Sequence, residues 1–261
     1  MKFIDIHTHV YPQNIAQKAA DNVRAFYQIG RNMDGTPKML LARGEKAGIS
    51  RYVVHPVAIR PDKVDSINQF ILEQVQLHPC FIPFATLHAE MDAIGDAAAN
   101  IAGQSFKGIK IHPDCQKFSI DDPRLFPAYE AISGKLPLML HMGDKRYHFS
   151  HPSRLRKVMQ LFPRLQVIAA HFGGYSMYDT ACRMLKDTDC IMDVSSSLMF
   201  MEPGEAEYYI NLYGAERMAF GTDYPVWDPV EETRRFLDLD LTMEQKEQIA
   251  WKTASRFLEL E

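Results

Sequence analysis

Eight short apolar runs set the architecture of this chain. They cover residues 3–6, 52–54, 81–85, 108–111, 136–140, 167–170, 190–194 and 218–220, mostly 23 to 30 residues apart after a wider first interval. Runs this brief, bounded by turn-forming residues, read as strands buried on both faces. Helical patterns fill the intervals. Thr36-Pro37 reads as an N-cap followed by proline at the first helical position, with Gly48 closing after Ala47. Val64, Ile67, Phe70 and Ile71 share a helical face, as do Leu155, Val158, Met159 and Phe162. Residues 91–103 are alanine-rich and end in glycine, residues 125–133 close on Gly134, and Thr242 with Glu244 and Gln245 opens a last helix.

Eight strand–helix units without sequence repeats predict a (β/α)8 TIM barrel with a C-terminal helix. An open doubly wound sheet is the alternative. Eight units within 261 residues favour closure, since about 250 residues is typical of the barrel. No Gly- or Ser-rich linker divides the chain, so a single domain over residues 1–261 is expected. Residues 10–50, the longest stretch without a strand, are expected to hold two helices.

Composition narrows the partners. The chain is 46% hydrophobic, enough for a sizeable core, and its net charge is -4 with no basic block, so no nucleic-acid partner is expected. It contains no run of about 18 apolar residues and no charged leader before an apolar stretch, so neither a membrane span nor a signal peptide is expected. Cys80, Cys115, Cys182 and Cys190 lie far apart without a Cys-x-x-Cys and read as reduced thiols, which makes the expected location cytoplasmic.

The polar residues at the strand ends carry the chemistry. His7-Thr8-His9 follows the first run. A strand projects alternate side chains to one face, so both imidazoles aim at one point, and such a pair suits a borderline metal such as zinc. Seven of the ten histidines fall at or just after strand ends: His7, His9, His55, His88, His112, His141 and His171. Asp223 takes the matching place after the eighth strand, in Phe220-Gly221-Thr222-Asp223-Tyr224-Pro225. Active sites of such barrels lie at the C-terminal strand ends. The convergence points to a metal site assembled from several strands.

These motifs, together with Leu140-His141-Met142-Gly143 and Ala170-His171-Phe172-Gly173-Gly174, closely resemble the amidohydrolase superfamily. The nearest branch is similar to the amidohydrolase-related group that includes aminocarboxymuconate semialdehyde decarboxylase. Gly108-Ile109-Lys110-Ile111-His112-Pro113 and Gly214-Ala215-Glu216-Arg217 also fit that group. The resemblance runs from residue 3 to about residue 258. It departs at Thr253-Ala254, where the family commonly has Asn-Ala, and in lacking the strand-four glutamate of deoxyribonuclease-like barrels, near whose place stands Lys110.

The resemblance implies that His7, His9, His141 and Asp223 hold one divalent metal, zinc first, with manganese or a second ion as alternatives. It implies that Asp223 also shuttles a proton. For His171 it leaves two readings: orienting a metal-activated water, or ligating a second ion. Lys110 either contacts substrate or, if carboxylated, bridges two ions. Lys110, His112 and Arg146 are the expected substrate contacts, with Arg60 and Arg154 as further carboxylate clamps. His55 and His88 line the site or simply cap the barrel mouth, and His78 complements a helix C-terminus. His148 and His151 belong to a polar loop after strand five, and Tyr224 and Trp227 are expected to wall the pocket.

The leading expectation is a metal-dependent hydrolase acting on a small amide, lactone or ester. The second is a non-oxidative decarboxylase or hydratase acting on a small carboxylic acid, placed behind hydrolysis because a short chain leaves little room for the insertions that build aromatic-acid pockets. A binding protein on a degenerate barrel is the third, and the full ligand set argues against it. A small molecule is the expected partner, and relatives of this kind are commonly homodimers.

Overall fold

The structure, a computed structural model, describes residues 1–29 and 33–260. Strands occupy all eight expected places: β1 (Phe3–Thr8), β2 (Ile49–Val54), β3 (Phe81–Thr86), β4 (Gly108–Ile111), β5 (Leu138–Leu140), β6 (Val167–Ala169), β7 (Ile191–Asp193) and β8 (Met218–Ala219). They form one sheet in chain order from β1 to β8. The backbone after β8 returns to β1: Ile6 N donates to Phe220 O (3.0 Å), Asp223 N to His7 O (2.7 Å) and His9 N to Tyr224 O (2.7 Å). A sheet in sequential order whose last strand bonds its first is the (β/α)8 TIM barrel.

The helices between are α1 (Ala16–Tyr27), α2 (Pro37–Lys46), α3 (Val64–Leu77), α4 (Ile94–Ala102), α5 (Pro113–Gln116), α6 (Phe126–Ile132), α7 (Pro152–Leu161), α8 (Tyr178–Leu185), α9 (Glu205–Tyr213) and α10 (Pro229–Leu237). The chain ends in α11 (Met243–Glu247), a π turn over Gln248–Lys252 and α12 (Thr253–Phe257). Local chemistry explains their starts. Thr36 Oγ1 accepts from Met39 N (3.2 Å) with Pro37 at the first helical position. Thr242 and Gln245 make a reciprocal capping box at α11. The alanine-rich helix starts at Ile94 rather than Met91, because Ala93 is left-handed and cannot continue it backwards. Among the described residues no helix is long and apolar enough to cross a membrane.

The chain falls into two compact units, the first comprising Met1–Val54, His78–Ile82 and Val194–Glu261, the second His55–Leu77 and Pro83–Asp193. The first has an aromatic core in which Phe3, Phe220 and Phe236 meet edge to face at 4.9 to 6.0 Å. Burying each such ring contributes roughly 1.5–3 kcal/mol. Its β1–β2 register lapses between Asp5 and Thr8, the stretch that carries His7. Such irregularities re-aim side chains next to active sites. The second unit packs Ile109, Ile111, Leu138, Leu140 and Ile168 from parallel, three- or four-residue strands, all fully buried. Its loop ends are tied by side chains: Gln116 Nε2 donates to Ala58 O (2.7 Å) and Leu87 O (2.8 Å), while its Oε1 accepts from His112 N (2.8 Å).

Candidate active site

In the first unit three of the four expected metal ligands converge, while His141 belongs to the second unit. His7 Nε2 lies 3.4 Å and His9 Nε2 3.5 Å from the same carboxylate oxygen, Asp223 Oδ1. Metal–nitrogen bonds of about 2.0–2.1 Å in tetrahedral geometry separate ligand atoms by about 3.3–3.4 Å. Two imidazole nitrogens and one carboxylate oxygen at this spacing therefore fit a divalent metal. Two of the remaining polar atoms of the trio face hydroxyls. Ser195 Oγ is 3.1 Å from His7 Nδ1, and Ser196 Oγ donates to Asp223 Oδ2 (2.5 Å). Holding the far nitrogen of a histidine in this way fixes which nitrogen faces the metal.

A buried carboxylate organises the backbone beneath. Asp5 Oδ1 accepts from His7 N (3.1 Å) and Thr222 N (3.0 Å), and Asp5 Oδ2 accepts from Thr222 Oγ1 (2.6 Å). Asp223 itself is left-handed, at φ 59°. That conformation is unfavourable for a residue with a Cβ and persists where surroundings over-determine it.

The second unit gathers a different cluster. His141 Nδ1 is 3.1 Å from His171 Nε2, and His141 Nε2 is 3.6 Å from Asp114 Oδ2. The His112 ring stacks on His141 at 3.9 Å with 9° between planes. Ser150 Oγ donates to Asp114 Oδ2 (2.5 Å). Burial pushes the Asp114 carboxyl up to about 6, outweighing the Ser150 hydrogen bond that pulls it down.

His171, Phe172 and Gly173 are left-handed in succession, at φ 60°, 54° and 74°. Asp193 holds this turn: Oδ1 accepts from His171 N (3.1 Å) and its carbonyl from Phe172 N (2.8 Å). A Cβ on Gly143 would come within 2.7 Å of Gly174 Cα, so the glycines after β5 and β6 permit backbones to touch beside the histidines.

The other expected residues sort clearly. Lys110 is fully buried on β4, where Thr86 Oγ1 donates to its carbonyl (3.0 Å). His55 is fully buried; His88 is buried with Nδ1 accepting from Glu90 N (3.2 Å), and burial lowers its pKa. Each arginine offered as a carboxylate clamp holds an aspartate of this chain: Arg146 binds Asp144 (2.6 Å), Arg60 binds Asp62 (2.8 Å) and Arg154 binds Asp121 (2.6 Å). His148 and His151 line a surface cavity of about 350 Å³ with Arg154 and Lys157, and Lys157 shares Asp121. Sequence reading missed Asp5, Asp114, Asp193, Ser195 and Ser196. Only the serine triplet after the seventh run and the Asp two places beyond His112 marked them, and neither pattern is specific.

An amidohydrolase family model matches residues 4–260. This chain belongs to the amidohydrolase family. No curated protein sequence matches it. Among solved structures, an uncharacterised TIM-barrel protein from Bordetella bronchiseptica is similar over 100% of this chain and 99% of its own, with TM-score 0.79 and 20% identity. The 5-carboxyvanillate decarboxylase of Sphingomonas paucimobilis is similar over 100% and 99%, with TM-score 0.73 and 17% identity. The dihydroxybenzoic acid decarboxylase of Polaromonas sp. JS666, solved with manganese and 2-nitroresorcinol, is similar over 99% and 97%, with TM-score 0.77 and 16% identity.

These neighbours correct the leading expectation of hydrolysis. Both enzymes named are decarboxylases, and this amidohydrolase-family chain spans 97% or more of each. The length argument against a decarboxylase therefore fails.

Proposed function

We propose that this amidohydrolase-family chain is a divalent-metal-dependent, non-oxidative decarboxylase acting on a small carboxylic acid. The end-to-end structural likeness to decarboxylases carries the reaction class. The convergence of His7 Nε2 and His9 Nε2 on Asp223 Oδ1 supports the metal. His7, His9 and Asp223 would hold the ion, manganese or zinc. When bound, the ion supplies positive charge against which a substrate carboxylate and a neighbouring oxygen are held.

The chain's own residues do the rest. Lys110 and His112 contact the substrate. With Arg60, Arg146 and Arg154 each on an aspartate, orientation of the leaving carboxylate rests with the metal end of the site. His171 is the acid. The carbon–carboxylate bond breaks, its electron pair stays on the substrate carbon, the proton from His171 Nε2 forms the new C–H bond, and carbon dioxide leaves. Solvent then returns a proton to His171. General-acid assistance of this kind is worth about 10²–10⁴ in rate.

The test is a panel of hydroxybenzoates and other small carboxylic acids with added manganese or zinc, followed by carbon dioxide release, run beside amide, lactone and ester panels. Carbon dioxide release without hydrolysis is the expected result. Hydrolysis with no carbon dioxide from any acid would overturn the proposal.

A further inference from the structure

The hydrogen-bond direction around Asp223 is set by chemistry rather than by hydrogen placement. Trp227 Nε1 donates to Ser196 Oγ (2.8 Å), and Ser196 Oγ is 2.5 Å from Asp223 Oδ2. An indole N–H only donates, and an ionised carboxylate only accepts. The Ser196 hydroxyl has one proton, so it must accept from Trp227 and give that proton to Asp223. The relay runs one way. Its two non-indole members both sit on left-handed backbone, Ser196 at φ 51° and Asp223 at φ 59°. Two such residues meeting in one 2.5 Å bond mark a place where local strain is tolerated for position. Phe200 packs edge-on against Trp227 at 5.8 Å and limits the freedom of the indole.

From this we infer that Ser196 and Trp227 are positioning residues. They bind Asp223 Oδ2 so that the carboxylate presents Oδ1 alone to the point where His7 and His9 converge, and Trp227 acts entirely through Ser196. With Oδ2 engaged as an acceptor, Asp223 offers Oδ1 as a fixed single-oxygen ligand. This inference rests on the metal-binding part of the proposed function, not on the reaction class. The relay and its effect on metal affinity stand on geometry.

Two measurements test it. The first uses metal-free protein. The chain has two tryptophans, so the Trp227 indole N–H is assigned by its loss in Trp227→Phe. Slowed hydrogen exchange of that N–H is expected in the parent chain, with at least tenfold faster exchange in Ser196→Gly. Glycine suits the left-handed backbone at this position, so the hydroxyl is removed without strain. Unchanged exchange would overturn the relay.

The second is manganese affinity by chelator competition. Partners of metal-binding groups typically account for 10- to 100-fold in affinity. Ser196→Gly and Ser196→Ala should each weaken binding at least tenfold, Trp227→Phe somewhat less, and the Ser196→Ala/Trp227→Phe pair no more than Ser196→Ala alone. Affinities within twofold of the parent, or an additive loss in the pair, would overturn the positioning role. Failure of the function proposal looks different: the parent chain releases no carbon dioxide from any acid, while the exchange and affinity results are unaffected.

Discussion

The two units build their polar clusters by opposite rules. In the first, two histidines turn their Nε2 atoms toward one carboxylate oxygen, and hydroxyls stand on the far sides of two of the three residues: Ser195 behind His7 and Ser196 behind Asp223. In the second, the histidines engage each other. His171 reaches His141, His112 stacks on it, and Asp114 stands at its other nitrogen. The first sets two imidazole nitrogens around one carboxylate oxygen at metal spacing. The second stacks and pairs imidazoles beside a buried carboxylate. Both use a strand aspartate to pin a left-handed turn, Asp5 beside Asp223 and Asp193 beneath His171. Similar scaffolding thus carries two arrangements. In one the imidazoles converge on a carboxylate oxygen, and in the other they contact one another.

Substitutions can break this contrast. The largest effect is expected from His7→Ala/His9→Ala, which should take bound metal from about one equivalent to none by elemental mass spectrometry while circular dichroism stays unchanged. Retained metal would move the ligand set elsewhere. Next comes His171→Asn. It should lower decarboxylation about 10²–10⁴-fold with metal content intact. A parallel loss of metal would make His171 a ligand and erase the distinction between the clusters.

A third test sharpens the second unit. Burial raises the Asp114 carboxyl from 3.8 to about 6, so the folded state binds a proton more tightly than the unfolded chain. The corresponding stability is fully present below pH 3.8 and lost as pH rises through 6, amounting to roughly 3 kcal/mol at about 1.4 kcal/mol per unit. In metal-free protein, Asp114→Asn should therefore gain stability relative to the parent between pH 4 and 7 in urea unfolding. A pH-independent difference would show that the carboxyl titrates normally.

The smallest effect is expected from Arg146→Gln. It removes the partner of buried Asp144 and should cost about 1–2 kcal/mol, because the guanidinium is part-exposed. KM should change little. A tenfold rise in KM with unchanged stability would instead make Arg146 a substrate clamp.

Strand positions were legible because each is a local apolar run, and several helix starts because caps such as Thr36 and Thr242 act within three residues. His7, His9, His141, His171 and Asp223 were legible as strand-end residues. Their partners were not. Ser195 meets His7 across 188 positions and Thr222 meets Asp5 across 217. A hydrogen bond of that span leaves no periodicity and no local composition signal.

Reaction class stayed ambiguous for the same reason. His-x-His serves hydrolysis and decarboxylation alike, so the motif does not separate them. Barrel, family and strand-end residues thus follow from short-range pattern. Which atoms of those residues face one another depends instead on side chains brought together when the sheet closes from β1 to β8.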